Sequence, residues 1–171
     1  MQELRVSVAE ILGYPGEYRD IRLDRPISGV RTALARMSEG PVHAELRAES
    51  VVEGILVTGT VRAETTLSCA RCLDEFPSEV GAQLCELYAA PGNEPSVEDE
   101  AYGVEGTEID LEPMLRDALT LALPLHPLCR EECPGLCARC GRRLDVGSCD
   151  CFQDETDPRW AELDALREKL S

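Results

Sequence analysis

From Cys129 to Cys151 the chain reads CREECPGLCARCGRRLDVGSCDC, which holds six of its nine cysteines, and a Cys69-x2-Cys72 pair lies upstream. A packed core has no use for thiols bunched two to four residues apart. Soft-metal sites do, because zinc takes four thiolates tetrahedrally and a Cys-x2-Cys turn offers two sulfurs to one ion while its backbone N–H groups face them. Gly141, directly after Cys140, supplies the permissive backbone that such a knuckle needs.

The simplest division of the sulfurs is four, four and one. Cys69 and Cys72 join Cys129 and Cys133 in a first site, and Cys137 and Cys140 join Cys149 and Cys151 in a second, local one. If Cys149 to Cys151 is extended, both thiols share a face. A competing division uses Cys133, Cys137, Cys140 and one of Cys149 or Cys151, and leaves Cys69 and Cys72 as a free dithiol. Cys85 sits in a strand pattern and reads as a small buried hydrophobe. Iron suits four thiolates too, but zinc is the default for a structural role. A four-thiolate site has no open position for water, so its metal, two zinc ions in this division, holds structure and activates no nucleophile. Disulfides are the competing reading, disfavoured by the odd count and by a cytosolic setting, where thiols stay reduced.

Nothing favours a Cys–His nucleophile over metal ligation, the abundant acids single out no carboxylate pair, and a free Cys69/Cys72 dithiol would be the one redox-active alternative. His43 lies in an alternating strand and His126 between Leu125 and Pro127, positions that suit surface or packing residues. No phosphate-binding loop or dinucleotide turn is visible. The expectation is a non-enzymatic protein.

The elements that must position these sulfurs read as an α+β fold, an antiparallel sheet meander packed by a few helices, with a C-terminal zinc-knuckle region. The first forty residues are mixed. VSVAEIL suits a short helix or strand, IRLD a short strand, and RTALARM a brief helix ended by Gly40-Pro41. From Val42 the pattern is two-periodic. Val42, Ala44, Leu46 and Ala48 share one face, and Ile55, Val57, Val61, Ala63 and Leu67 share another after a turn. Val80, Ala82, Leu84 and Tyr88 suggest a further strand after a break at Pro77-Ser78, which puts Cys69-x2-Cys72 in the connection between the last two strands. IDLEPMLRDALTLALP is the clearest helix, with Leu111, Met114, Leu115, Ala118, Leu119 and Ala122 as its apolar stripe, Pro113 in its first turn and Pro124 beyond its end. DPRWAELDALREKL suggests a C-terminal helix. No internal repeat stands out. The domain reading is a core over residues 1–128 and a cysteine-rich region with its helix over 129–171, packed as one unit.

Composition limits the partners. The 171 residues carry a formal charge of -16, and two zinc–thiolate centres would take it to roughly -20. The global field therefore disfavours a general clamp on nucleic acid phosphates, and any RNA contact must be local. Residues 73–115 contain twelve acids and no Lys or Arg, and the PGNEPSVEDEAYGVEGTE part, about 91–108, reads as a flexible acidic loop. It serves solubility or attracts a basic partner. The N-terminus has no basic start followed by an apolar stretch, and no run approaches a membrane span, so the expected location is the cytoplasm.

The order CARCLDEF, an acidic stretch, EIDLEPMLRDALTLALPLHPLC, CPGLCARCG, CDC and DPRWAELDAL resembles the bacterial YceD family, the large ribosomal RNA subunit accumulation proteins. The resemblance implies a cytosolic, non-enzymatic factor for 23S ribosomal RNA accumulation or processing and large-subunit biogenesis. It implies a ribosomal RNA precursor, a large-subunit ribosomal protein, or both as partners, and it carries no catalytic residues. Arg130, Arg139, Arg142 and Arg143 crowd the knuckles and are the candidate RNA contacts, since ordered loops can aim guanidinium groups at phosphates or splayed bases. The competing reading is that these arginines are solvated or neutralised by nearby acids. A second function keeps the acidic surface and drops the RNA: an adaptor or chaperone for a basic ribosomal protein.

Overall fold

A computed structural model describes residues 4–90, 102–147, 149 and 151. By internal packing the chain divides into two compact units, Met1–Cys129 and Arg130–Ser171.

The first unit is built on a mixed, mostly antiparallel six-stranded sheet. Its strands are β2 (Tyr18–Arg25), β3 (Ala35–Met37), β4 (Val42–Val51), β5 (Gly54–Ser68), β6 (Glu75–Ala89) and β7 (Tyr102–Gly103). The order is β2-β4-β5-β6-β7. The fifteen-residue β5 is its spine. β6 pairs along the whole of one side, and the other side is shared by β4, up to His43↔Arg62, and by β3, from Met37↔Thr65 to Ala35↔Leu67. A separate ribbon of β1 (Arg5–Ser7) and β8 (Glu108–Asp110) leads into the helix α1 (Glu112–Ala122).

Period-two patterning puts the core on one face of the sheet. Ile55, Val57, Val61, Ala63 and Leu67 of β5 are all buried, as are Val42, Ala44, Leu46 and Ala48 of β4. α1 covers this face with Leu111, Met114, Leu115 and Leu119, each 1% exposed or less. Its first turn holds Pro113, where no intrahelical N–H is required. Asp110 Oδ1 accepts the Glu112 N–H at 3.0 Å, and Pro124 follows the last turn. Gly59 fixes the middle of the spine. At φ +148°, a Cβ there would lie 2.1 Å from the Glu45 carbonyl oxygen, so only glycine lets β4 cross β5 at this point.

Several expectations need correction. RTALARM is no helix: Ala35–Met37 is strand β3, because the free flank of β5 beyond Arg62 supplies hydrogen-bond partners that outweigh local helix propensity. Pro77 does not break the strand, and β6 runs through it from Glu75. At that point β6 has no second neighbour among the described residues, which is where a strand tolerates proline. Cys85 is exposed, since it falls in the opposite phase from Leu84 and faces away from the core. VSVAEIL resolves into the short β1 followed by turns. Of the stretch read as a loop over 91–108, Tyr102–Gly103 is strand and Glu105 bridges Glu108. Tyr102 is held by stacking on Tyr88, with ring centroids 5.3 Å apart. Residues 91–101 and the C-terminal helix expected from Asp157 lie outside the described residues. α1 is therefore the one helix among the described residues, where a few were expected. None there is long and apolar enough to cross a membrane.

Candidate metal centres

The first knuckle is the β5–β6 connection. Cys69 N–H donates to the Asp74 carbonyl at 2.9 Å, and Leu73 N–H returns to the Cys69 carbonyl at 2.9 Å. These bonds close the Cys69-Ala-Arg-Cys72 turn so that both sulfurs face one point. The chain leaving α1 is pinned beside it, because Ala70 N–H donates to the Pro127 carbonyl at 2.8 Å. Cys129 thereby arrives with its Sγ 3.7 Å from that of Cys72. Beyond it, Cys133 N–H closes a turn on the Arg130 carbonyl at 3.1 Å. The Sγ atoms of Cys69, Cys72, Cys129 and Cys133 all lie within 4.8 Å of one another.

The second knuckle, Cys137-Ala-Arg-Cys140, repeats the first in sequence and in geometry. Gly141 N–H bonds the Cys137 carbonyl at 2.9 Å, as Leu73 does that of Cys69. The residue after the second cysteine is left-handed in both, Gly141 at φ +69° and Leu73 at φ +63°. Leu136 and Arg143 bridge across the turn, and Cys137 N–H bonds the Arg142 carbonyl at 2.8 Å. Cys149 and Cys151 complete a second group, with the four Sγ atoms again within 4.8 Å of one another. The repeated CARC tetrapeptide is the signal that sequence reading passed over when it found no internal repeat.

The donor sets fit a metal ion. A regular tetrahedron of sulfurs about zinc at roughly 2.3 Å has edges of about 3.8 Å, and the 3.7 Å between Cys72 and Cys129 matches that edge. A disulfide needs about 2.05 Å, far shorter than that separation. Acidity points the same way. Burial raises the Cys69 thiol, but backbone N–H groups of Cys129, Cys72 and Arg71 outweigh it and bring the group down to about 6. The N–H groups of Cys140 and Arg139 bring Cys137 to about 6 as well. Hydrogen bonding with Cys140, then burial, pushes Cys151 up to about 12. A thiolate thus forms easily at Cys69 and at Cys137, the form in which a thiol ligates a dication.

The second unit buries little apolar surface among its described residues. The apolar core cluster ends at Leu123. Beyond Cys129, the buried apolar side chains among the described residues are Cys133, Cys137 and Cys149. With so little apolar surface buried among its described residues, this stretch is of the kind that a bound ion could hold together.

Of the four candidate arginines, two converge on one acid. Arg143 forks onto Asp145, Nε to Oδ1 at 3.1 Å and Nη2 to Oδ2 at 2.7 Å. Arg130 Nη2 lies 3.7 Å from the same carboxylate. Arg143 holds the Asp145 carboxyl below its ordinary range. Arg139 and Arg142 are exposed. Both histidines are exposed too, His43 with Nδ1 3.6 Å from Asp24. Cys133 groups with Cys69, so the division that left Cys69 and Cys72 as a free dithiol is not the one observed.

These features define a class: an antiparallel sheet domain followed by a small cysteine-rich unit, carrying two four-thiol clusters able to hold metal ions. The family model described as "Large ribosomal RNA subunit accumulation protein YceD" matches residues 57–167, and the chain belongs to that family. An uncharacterized protein of Mycobacterium tuberculosis is 47% identical over 122 residues, 70% of this chain and 58% of that protein. The Arabidopsis thaliana "Large ribosomal RNA subunit accumulation protein YCED homolog 1, chloroplastic" is 24% identical over 159 residues, 76% of this chain and 50% of the homologue. "Uncharacterized protein YlbN" of Bacillus subtilis is 26% identical over 127 residues, 74% of each chain. The chain thus spans 58% of the length of the mycobacterial relatives it matches. No solved structure matches it.

Proposed function

We propose that this protein is a cytoplasmic, non-enzymatic factor that supports 23S ribosomal RNA accumulation and large-subunit biogenesis, with both cysteine clusters holding structural zinc. The carrying observation is the pair of closed four-thiol clusters in a chain of this family. Four thiolates leave no position for substrate or water, so the metals order loops and do no chemistry. Arg139 and Arg142, exposed beside the second knuckle, are the groups with which that unit would reach RNA, with Arg130 and Arg143 beside them. Depletion of the protein should lower 23S relative to 16S RNA, with rescue by the native chain and not by Cys137→Ser/Cys140→Ser. Metal analysis should find two zinc ions per chain. Unchanged 23S levels on depletion would sink the reading.

One observation favours a second reading. Asp145 neutralises Arg143 and draws Arg130, which weakens the electrostatic case for RNA contact. An adaptor or chaperone for a basic ribosomal protein then fits the charge of -16 better. Affinity capture with and without RNase separates the two. Protein partners lost on digestion support RNA contact, and a basic ribosomal protein that survives digestion supports the adaptor.

A further inference from the structure

Strand β6 has a backbone edge that, among the described residues, is paired only at its last two positions. β5 pairs with one side of it from Ser68↔Glu75 to Gly54↔Ala89, while β7 reaches only Tyr88 and Ala89 on the other. The register tells which groups point outward. Cys69 N–H donates to Asp74, and Ala90 N–H donates to Glu53. The pairs in phase with these, such as Leu67↔Phe76 and Thr65↔Ser78, therefore exchange the ladder bonds. The alternate residues Glu79, Gly81, Gln83, Cys85 and Leu87 aim their N–H and C=O groups away from β5. Ala89, in the same phase, already uses its carbonyl outward, accepting Val104 N–H at 2.9 Å. Pro77 shares that phase, so it lacks an N–H only where β5 needs none.

Beside this edge runs a groove of about 700 Å3 between β6 and α1, lined in part by Ala82, Leu84, Glu86, Asp117, Ala118 and Leu121. Its apolar wall includes Leu121, 86% exposed. Its charges are the carboxylates of Glu86 and Asp117, and no Lys or Arg lines it. Glu79 adds a third acid on the edge itself, opposite Glu64, with Arg62 opposite Gly81 as the nearby cation on the outer face.

We propose that the β6 edge and the α1 groove take an extended, cationic segment of a partner protein as an added strand. Main-chain bonds to the outward groups of β6 supply affinity, and alternate side chains enter the groove, apolar ones against Leu84 and Leu121 and basic ones toward Glu86 and Asp117. The carboxylates repel phosphates, so the surface selects a basic peptide and not RNA. It lies wholly within Met1–Cys129 and needs no zinc or ribosomal RNA, so it goes beyond the function proposed above and stands or falls separately.

The probe is a labelled decapeptide of sequence VTKTVTKTVT, which as a strand alternates valine and lysine along one face, read by fluorescence anisotropy against the full chain, with a single-stranded RNA decamer alongside. Binding should bring hydrogen-exchange protection to the amides of Glu79, Gly81, Gln83, Cys85 and Leu87. Gln83→Pro removes one outward N–H in the phase Pro77 already occupies, and should weaken binding about fivefold or more through the lost edge hydrogen bond. If that variant fails to fold, Glu86→Lys with Leu121→Glu, both at exposed positions, should give a loss of similar size. The proposal is overturned if the peptide does not bind, or if binding survives these changes. It is equally overturned if the RNA decamer protects the same amides, or if they are already protected in the free chain by its own residues or a second copy.

Discussion

Gly141→Ala separates backbone strain from every other property of the second knuckle. Gly141 sits at φ +69°, and a Cβ built there has no atom within 4 Å, so the substitution meets no steric obstacle and touches no sulfur. What remains is the left-handed conformation, roughly 1–2 kcal/mol for a residue with a Cβ, less a few tenths to 1 kcal/mol because alanine loses less freedom on folding than glycine. The net is about 1 kcal/mol, or about fivefold in an equilibrium constant. The described residues beyond Cys129 add nothing to the apolar core cluster, so if metal holds this unit as proposed, its folding and its metal binding are coupled and the strain should appear as a loss of metal affinity. Zinc titration against a chromophoric chelator resolves the two clusters. The second should weaken about fivefold, and the first serves as an internal control. Leu73, in the same left-handed place of the first knuckle at φ +63°, gives the reciprocal case. Leu73→Asn should tighten the first cluster by a factor of a few, because asparagine accepts this conformation more readily. Equal loss at both clusters after Gly141→Ala, or no loss, would refute the assignment of Gly141 to a strained knuckle.

Chelation of bound metal should abolish amide protection across 130–147 while the β4–β5–β6 ladder, which carries its own core, stays protected. Hydrogen exchange checks this, and retained protection after metal removal would contradict a metal-held unit. Gly59→Ala should destabilise the sheet by about 3 kcal/mol or more, because its Cβ meets main chain 2.1 Å away on β4 and the spine cannot shift alone. A urea midpoint close to that of the native chain would show the crossing is looser than described. Tyr88 is 1% exposed and donates to the Asp110 carbonyl at 3.0 Å. Burial, then the neighbouring Tyr102, Asp110 and Glu86, raise it above its ordinary value of 10.0. The folded state therefore holds this proton more tightly than the unfolded state. Stability is full below pH 10 and should fall as pH rises above it. Tyr88→Phe should cost about 1 kcal/mol at neutral pH and flatten the alkaline fall. Urea unfolding from pH 7 to 11 reads both, and an unchanged alkaline slope would remove Tyr88 as its source.

What was legible in the sequence is what depends on local spacing. The two-residue alternation of Val42 to Ala48 and Ile55 to Leu67 states which face is buried, because a strand has only two faces and one is covered. The stripe Leu111, Met114, Leu115, Leu119 states a helix for the same reason at a different period. The grouping of eight cysteines into two sets was only half legible, since Cys-x2-Cys spacing allowed it beside a division that set Cys69 and Cys72 apart, and only the fold brings Cys133 to Cys69. What depends on the partner strand was not. Ala35–Met37 becomes strand only because β4 stops short along β5, and no window of seven residues contains that fact. Cys85 was assigned to the core from its company in a strand, when one step of phase separates it from Leu84. The open side of β6 has the same origin. Its sequence reads like any half-buried strand, and only the register reveals that alternate residues from Glu79 to Leu87 offer their backbone outward, beside Asp117 of a helix some thirty residues further on. Sheet neighbours decide edges, and edges decide what can be added. For this fold the informative experiment on partners therefore begins at β6, while the informative experiment on stability begins at the sulfurs.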